Sequence, residues 1–158
     1  MVKLTHLDIK GRARMVDVSD KKETVRTALA SGEVILSKEA FLRVKANTLK
    51  KGDVLTVAKV AGIQAAKRVH ELIPLCHDIP LNLVDLSFEM NEKRRSIRLK
   101  ATTKATSKTG AEMEALTAVS LAALTIYDMV KSMDRGMIIS EIKLLKKSGG
   151  KSGKWVRQ

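Results

Sequence analysis

Two adjacent lysines lie beside a segment that can start a helix. Lys50 and Lys51 are followed by Gly52 and by Asp53, a residue type that commonly caps helix N-termini. A helix N-terminus and a neighbouring cation both disfavour a protonated amine, and a lysine in that situation can transfer protons at neutral pH. An ordinary basic loop is the simpler interpretation of this segment taken alone.

A rigid bend at residues 73–77 presents a second group of reactive side chains. Pro74 restricts the backbone just before Cys76 and His77. One cysteine and three histidines do not supply the four-ligand spacing of a structural zinc site. Neighbouring side chains usually point apart, which argues against a Cys–His nucleophile pair. We therefore predict that Cys76 is buried and that His77 faces a ligand.

The segment KSGGKSG at residues 147–153 has the composition of a phosphate-binding loop. Its glycines leave backbone amides unobstructed, and Lys147 and Lys151 add positive charge. It is not a Walker A loop, because Leu145 occupies the position of the leading glycine and no helix follows. A disordered basic tail explains the composition equally well.

Charged side chains lie at both ends of one predicted helix. Glu112 and Glu114 are at its start, and Asp128 is at its finish with Lys131. Fourteen residues of helix separate Glu114 from Asp128 by about 21 Å, so one small-molecule site does not easily take both from the same chain. The ordinary explanations are the attraction of first-turn acids to the helix dipole and an exposed i,i+3 ion pair.

The same helix is apolar on nearly every side between Ala115 and Ile126. Such a helix must be covered all round, and one of its faces can lie on a sheet. For the other face we favour a second copy of the chain, with the helix predicted at 53–72 as the alternative. The apolar run Ala115–Tyr127 is too short to cross a membrane.

The net charge predicts an anionic partner. The 158 residues include 30 Lys and Arg against 17 Asp and Glu, a formal net charge of +13. A nucleic-acid-binding module is the competing interpretation, but only 3% of the residues are aromatic, which is few for stacking on single-stranded bases. A single cysteine and an N-terminus without an apolar signal segment favour the cytosol, and they fit an organelle matrix after removal of a transit peptide equally well.

Hydrophobic periodicity predicts the elements that position these groups. We expect one domain, 1–158, with an irregular arm at 1–20 and a Gly/Ser/Lys-rich tail at 146–158 that is mobile without a ligand. Between them the pattern predicts a helix at Glu23–Ala30 stopped by Gly32, a strand at Glu33–Leu36, a Ser37-capped helix at Ala40–Leu49, a helix at Asp53–Leu72, a hairpin of Leu81–Met90 with Ser96–Thr103, a helix at Glu112–Met133 and a strand at Met137–Leu145. This order predicts an α+β protein with a ferredoxin-like antiparallel sheet and helices packed on one face.

Seven ordered segments closely resemble the cyclic pyranopterin monophosphate synthases, the molybdenum cofactor biosynthesis protein C family. They are MVDVS (15–19), KGD (51–53), AGIQAAKR (61–68), LIPLCH (72–77), TGAEMEALT (109–117), LTIYDM (124–129) and KSGGKSG (147–153). The resemblance implies a lyase that converts 3′,8-cyclo-7,8-dihydro-GTP to cyclic pyranopterin monophosphate with release of pyrophosphate, without a metal or cofactor. It also implies a homo-oligomer, a hexamer built as a trimer of dimers with sites at subunit interfaces, and no nucleic-acid or membrane partner.

The resemblance further implies roles for particular residues. Asp128 is the implied catalytic acid-base group, with Lys51 and Lys131 as catalytic lysines. The implied substrate-binding residues are Asp17, Arg26, Lys67, Leu75, Cys76, His77, Glu112, Met113, Glu114, Lys147 and Lys151. We expect the acids to read the N–H edge of the guanine-derived ring, and Arg and Lys side chains to hold the triphosphate.

One position departs from the family pattern. Asp78 follows His77 where the family usually has proline. The bend is then looser, or the acid pairs with a nearby lysine. We predict that Asp78→Pro is tolerated.

Overall fold

A five-stranded antiparallel sheet forms the framework of the molecule. The computed structural model describes residues 7–158, so residues 1–6 of the predicted arm lie outside the described residues. The strands are β1 (Thr24–Ile35), β2 (Leu81–Asn91), β3 (Ser96–Ser107), β4 (Ile138–Ser148) and β5 (Trp155–Val156), in the spatial order β2-β3-β1-β4-β5. The first four strands have the ferredoxin-like order, which confirms the predicted fold class and the predicted β2–β3 hairpin.

Helices cover one face of this sheet. They are α1 (Lys38–Lys45), α2 (Val54–Ala66), α3 (Val69–Leu72) and α4 (Glu112–Val130). Helix α4 contacts β1, β3 and β4, and α2 packs beside α4 and against β2. The core lies between the sheet and the two long helices, and it is built mainly from small and branched aliphatic side chains.

The helix predicted at Glu23–Ala30 is wrong, because Thr24–Ala30 belong to β1. This strand lies in the middle of the sheet and pairs with β3 on one side and β4 on the other, so its backbone is extended by partners distant in sequence. Gly32 does not stop a helix. A Cβ atom at Gly32 would lie 2.6 Å from Val119 Cγ1, so the glycine permits the close approach of α4.

Local capping signals located two helix starts correctly. Ser37 Oγ accepts a hydrogen bond from Ala40 N at 3.3 Å, and Asp53 Oδ1 accepts one from Thr56 N at 3.0 Å. The helix ends were predicted less well. Helix α1 stops at Lys45 rather than at Leu49, and the predicted helix 53–72 is interrupted at residues 67–68.

The alternative cover predicted for the second face of α4, a helix of the same chain, is present. Helix α2 packs against a part of α4 that the sheet does not cover. Helix α4 is long and apolar enough to cross a membrane by length and composition, but most of it lies in the core. Its cover is incomplete. Leu124 is 53% exposed, and Val57 and Val60 of α2, the helix that packs beside α4, are also exposed.

The segment predicted as a mobile tail from Lys146 instead forms part of the sheet. Strand β4 continues to Ser148, and β5 returns beside it with Lys146 opposite Val156 and Lys147 opposite Trp155. Gly149 and Gly150 have φ angles of +97° and +69°, in the region that only glycine adopts without strain. The glycines therefore reverse the chain between the two strands.

Candidate active site

A cavity of about 430 Å³ lies at the N-terminal end of α4. It is formed where the arm before β1, the bend after α3 and the loop before α4 meet the start of β1 and the end of β4. Eight of the expected substrate-binding residues line it: Arg26, Leu75, Cys76, His77, Glu112, Met113, Glu114 and Lys147. Segments that are distant in sequence thus converge at one cavity.

A strained turn fixes the carboxyl group of Glu114. Gly110 and Ala111 have φ angles of +84° and +94°, and such a conformation at a non-glycine residue costs on the order of 1–2 kcal/mol. Thr103 Oγ1 donates a hydrogen bond to Ala111 O at 2.8 Å, and Ala111 N donates one to Glu114 Oε2 at 3.1 Å. These contacts hold the turn in place and orient the carboxyl group.

The environment of the cavity favours the protonated forms of Glu114 and Cys76. Glu114 is only 3% exposed, and this burial raises the pKa of its carboxyl group. Burial, and secondarily the negative charge of Glu114, raises the pKa of the Cys76 thiol. Cys76 is half-buried and stays a thiol at neutral pH, which argues against its use as a nucleophile.

His77 lines the cavity, and its ring is anchored to the arm. His77 Nε2 lies 2.8 Å from the carbonyl oxygen of Val16. Because a carbonyl oxygen only accepts hydrogen bonds, Nε2 carries a proton and donates here. The next residue, Asp78, pairs with His70 at 3.3 Å between Oδ1 and Nδ1, so its partner is a histidine and not the lysine considered from the sequence.

Two of the cations that line the cavity have defined partners. The Arg26 guanidinium donates from Nε to Ser107 O at 3.0 Å and from Nη2 to Lys108 O at 2.8 Å. Lys147 Nζ lies 3.2 Å from Glu112 Oε1 and donates to Ser152 Oγ at 2.6 Å. An acid and a base of the expected site therefore neutralise each other when no ligand is bound.

The three expected catalytic residues meet at the other end of α4. Lys131 Nζ is 2.7 Å from Asp128 Oδ1, and Lys51 Nζ donates to Asp128 O at 3.0 Å and lies 4.0 Å from Asp128 Oδ2. The hydrogen bond from Lys131 lowers the pKa of Asp128, and the same bond raises the pKa of Lys131. At neutral pH this group therefore holds a carboxylate and an ammonium ion.

Three expected binding residues lie outside the cavity. Asp17 is on the arm next to it, where its carboxylate accepts hydrogen bonds from Ser19 N at 2.8 Å and Ser19 Oγ at 2.6 Å. Lys67 is at the C-terminal end of α2, and Lys151 is exposed in the turn between β4 and β5.

Sequence reasoning missed six residues that line the cavity: Val16, Val18, Lys21, Ile79, Thr109 and Gly110. Val16, Val18, Thr109 and Gly110 lie in the resembling segments MVDVS and TGAEMEALT, but the resemblance implied no role for them. Lys21 carried no signal beyond its charge, because many lysines in this chain are ordinary surface residues.

The fold and the cavity together define an α+β protein of ferredoxin-like topology, with a polar cavity at one end of the central helix. Residues 15–150 match the model of the MoaC family. The chain is 55% identical over 155 residues to the cyclic pyranopterin monophosphate synthase of Heliobacterium modesticaldum, with 98% of each chain covered. It is 56% identical over 155 residues to that of Thermoanaerobacter sp., again with 98% of each covered. For that of Thermomicrobium roseum the identity is 54% over 158 residues, which is 100% of this chain and 95% of the relative. The chain belongs to the MoaC family, as its motifs predicted.

Proposed function

We propose that this enzyme converts 3′,8-cyclo-7,8-dihydro-GTP to cyclic pyranopterin monophosphate and pyrophosphate. The names of its full-length relatives support the reaction, and the observation that carries it within this chain is the cavity lined both by cations and by the buried Glu114. The reaction needs a ring rearrangement by proton transfer. It also needs attack of a substrate hydroxyl on the α-phosphorus, which breaks the bond to the departing pyrophosphate. The thiol form of the only cysteine, Cys76, fits a reducing compartment, and we place the reaction in the cytosol.

The acidic and the basic residues that line the cavity suit two parts of this substrate. A protonated or hydrogen-bonding carboxyl group at Glu114 complements the polar edge of the guanine-derived ring. Arg26 and Lys147 complement the triphosphate, and Arg26 can do so with its fixed planar guanidinium. Phosphate oxygens must compete with Glu112 for Lys147, so substrate binding opens the Glu112–Lys147 ion pair.

The group at the other end of α4 supplies proton transfer and charge stabilisation. The Asp128 carboxylate can accept a proton from the substrate, and the Lys131 ammonium can stabilise negative charge that develops on the phosphoryl oxygens. Lys51, which contacts Asp128, places a second amine beside the carboxylate.

We propose that one complete site combines two copies of the chain. The cavity and the Asp128 group are about 21 Å apart along α4, too far for one small substrate within a single subunit. A two-fold axis perpendicular to α4 would make the helices of two subunits antiparallel, and the cavity of one could then face the Asp128 group of its partner. The exposed apolar residues Val57, Val60 and Leu124 in the helix layer support such an interface. We further propose that three such dimers form a hexamer.

The direct test is incubation of the purified chain with freshly prepared cyclised GTP intermediate. We expect pyrophosphate and the cyclic phosphate product in equal amounts. Absence of both products with fresh intermediate would exclude this activity.

Mixing two variants tests the shared site, with turnover measured at a substrate concentration at which neither variant alone forms product. One variant carries Asp128→Asn and keeps its cavity, and the other carries Lys147→Ala and keeps its Asp128 group. After joint refolding we expect about one quarter of the wild-type activity, because half of the randomly formed dimers are mixed and each mixed dimer has one intact site of two. No recovery in verified mixed dimers would show that each site belongs to one chain.

A ligand comparison tests the division of the cavity. Glu114→Ala should weaken binding of the substrate and leave binding of inorganic tripolyphosphate unchanged, whereas Lys147→Ala should weaken both. Calorimetry with each ligand measures the four affinities. If each variant lost the same affinity for the substrate as for tripolyphosphate, the assignment of Glu114 to the ring and Lys147 to the phosphates would be contradicted.

A further inference from the structure

Two of the three cations in the cavity already have partners. Arg26 donates two hydrogen bonds to the backbone carbonyls of Ser107 and Lys108, and its guanidinium lies under Gly150, where a Cβ atom would come within 2.6 Å of Nη1. Lys147 is held by Glu112 and Ser152. These contacts keep both cations in place and neutralise part of their charge.

Lys21 is the third cation, and it differs from the other two. It is exposed while lining the cavity, and within residues 7–158 it forms no ion pair and its amine makes no hydrogen bond. A lysine amine on a flexible stem with no competing carboxylate is free to follow a phosphate group. Lys21 can therefore meet an incoming polyanion without first breaking another interaction.

The backbone before Lys21 is held at two points by side chains from distant parts of the chain, one of which, His77, lines the cavity. His77 Nε2 donates to Val16 O at 2.8 Å, and Lys108 Nζ donates to Ser19 O at 2.7 Å. A tight turn then brings the chain to Lys21, whose N–H donates to Val18 O at 3.0 Å. The arm is irregular in secondary structure, yet these three bonds set the place from which the Lys21 side chain extends.

We propose that Lys21 is a phosphate-binding residue of this site and that Lys108 is its positioning residue, acting through the Ser19 carbonyl. The ligand is a polyphosphate, either the triphosphate of the substrate or the departing pyrophosphate. The proposal rests on the proposed function for the identity of the substrate. The polyphosphate affinity of Lys21 follows from the cavity and can be measured without turnover.

Lys21→Met tests the proposal, with Lys22→Met as the matched control. Lys22 is the adjacent lysine, equally exposed, and does not line the cavity. We expect Lys21→Met to weaken binding of inorganic tripolyphosphate about tenfold and to raise KM for the cyclised GTP intermediate by a similar factor, with kcat changed less than about threefold. Lys22→Met should change each value less than about twofold, since it removes the same charge at a distance.

Unchanged tripolyphosphate binding in Lys21→Met would overturn the proposal, as would an equal loss in Lys22→Met. Binding of tripolyphosphate by calorimetry separates this outcome from failure of the proposed function. If wild type binds tripolyphosphate through Lys21 but makes no product from the intermediate, the proposed reaction fails and the role of Lys21 stands.

A double-mutant cycle tests the positioning role of Lys108. Lys108→Met should weaken tripolyphosphate binding about threefold to tenfold when Lys21 is present, and should have no further effect in Lys21→Met. Lys108→Arg should retain most of the affinity, because an arginine can still donate to the Ser19 carbonyl. An equal loss in both backgrounds would show that Lys108 acts independently of Lys21.

Discussion

The two ends of α4 carry acidic groups in opposite environments. At the N-terminal end Glu114 is buried, and its pKa is raised because the charged form loses its hydration. At the C-terminal end the side chain of Asp128 is 63% exposed, and its pKa is lowered mainly by the hydrogen bond from Lys131. One helix therefore holds a carboxyl group whose environment favours the protonated form and another whose environment favours the charged form.

The two ends also differ in how their geometry is fixed. Glu114 is oriented by a backbone turn that is itself held by Thr103. The Asp128 group is held only by exposed ion pairs and one contact to a backbone carbonyl, and exposed ion pairs contribute about 0–1 kcal/mol each. Covering this end by a second subunit would exclude water and strengthen the same contacts.

The largest expected effect is loss of turnover at the C-terminal end. Asp128→Asn should lower kcat by about 10²–10⁴-fold, because the amide cannot accept a proton. The melting temperature should change little, since the residue is exposed. Asp85→Asn is the matched control, because Asp85 is 56% exposed and also pairs with a lysine at 2.7 Å. Pyrophosphate release measures both, and near-normal turnover in Asp128→Asn would remove Asp128 from the mechanism.

The next largest effect concerns the cations that line the cavity at the N-terminal end of α4. Gly150→Ala would place a Cβ atom 2.6 Å from Arg26 Nη1 and displace the guanidinium, so we expect about tenfold weaker substrate binding. Gly153→Ala introduces similar backbone strain at a φ of +61°, with no atom within 4 Å of the new Cβ. The ratio of the two KM values isolates the contact with Arg26. Equal KM values in both variants would mean that the Arg26 position is unimportant.

A smaller effect should appear in the pH dependence of stability. Because the folded-state pKa of Glu114 is raised above its usual 4.5, the folded chain holds this proton more tightly than the unfolded chain. Stability should therefore fall as pH rises from 4.5 through the folded-state pKa, and Glu114→Gln should remove that fall.

Glu92→Gln is the control of opposite sign for this experiment. The hydrogen bond from Lys45 lowers the pKa of Glu92, so its contribution is present above 4.5 and is lost as pH falls. Urea unfolding of wild type and both variants across this pH range gives the two slopes. Parallel curves for wild type and Glu114→Gln would mean that Glu114 is hydrated after all.

The smallest effect is expected at the bend that forms part of the cavity. Asp78→Pro removes an exposed contact with His70 and should change stability by no more than about 0.5 kcal/mol. Within the described residues the Asp78 N–H donates no backbone hydrogen bond that proline would delete. Thermal melts and KM of the variant, with Asp78→Ala beside it, give the measurement. Loss of soluble protein in Asp78→Pro alone would show that the bend is built differently.

Sequence patterns predicted elements whose signals are local. Ser37 and Asp53 cap the helices that they were expected to cap, and the alternation in 81–103 produced the observed hairpin. The segment Thr24–Ala30 was misassigned because its extended conformation depends on β3 and β4, which lie far along the chain. The glycines at 149–150 were recognised as unusual, but the strand that follows them has only two residues and gave no pattern.

The sequence by itself determined the net positive charge, the apolar central helix and the charged groups at its two ends, since these follow from residue types and helical spacing. Only the tertiary structure decided that Glu114 is buried beside Cys76, that Lys147 pairs with Glu112 and that Lys21 lies in the cavity. Each of these depends on strand register and on the path of loops between distant elements. The residues that these elements bring together set the solvation and the pairing of each charged group. The spacing of residues along one helix gives no information about them.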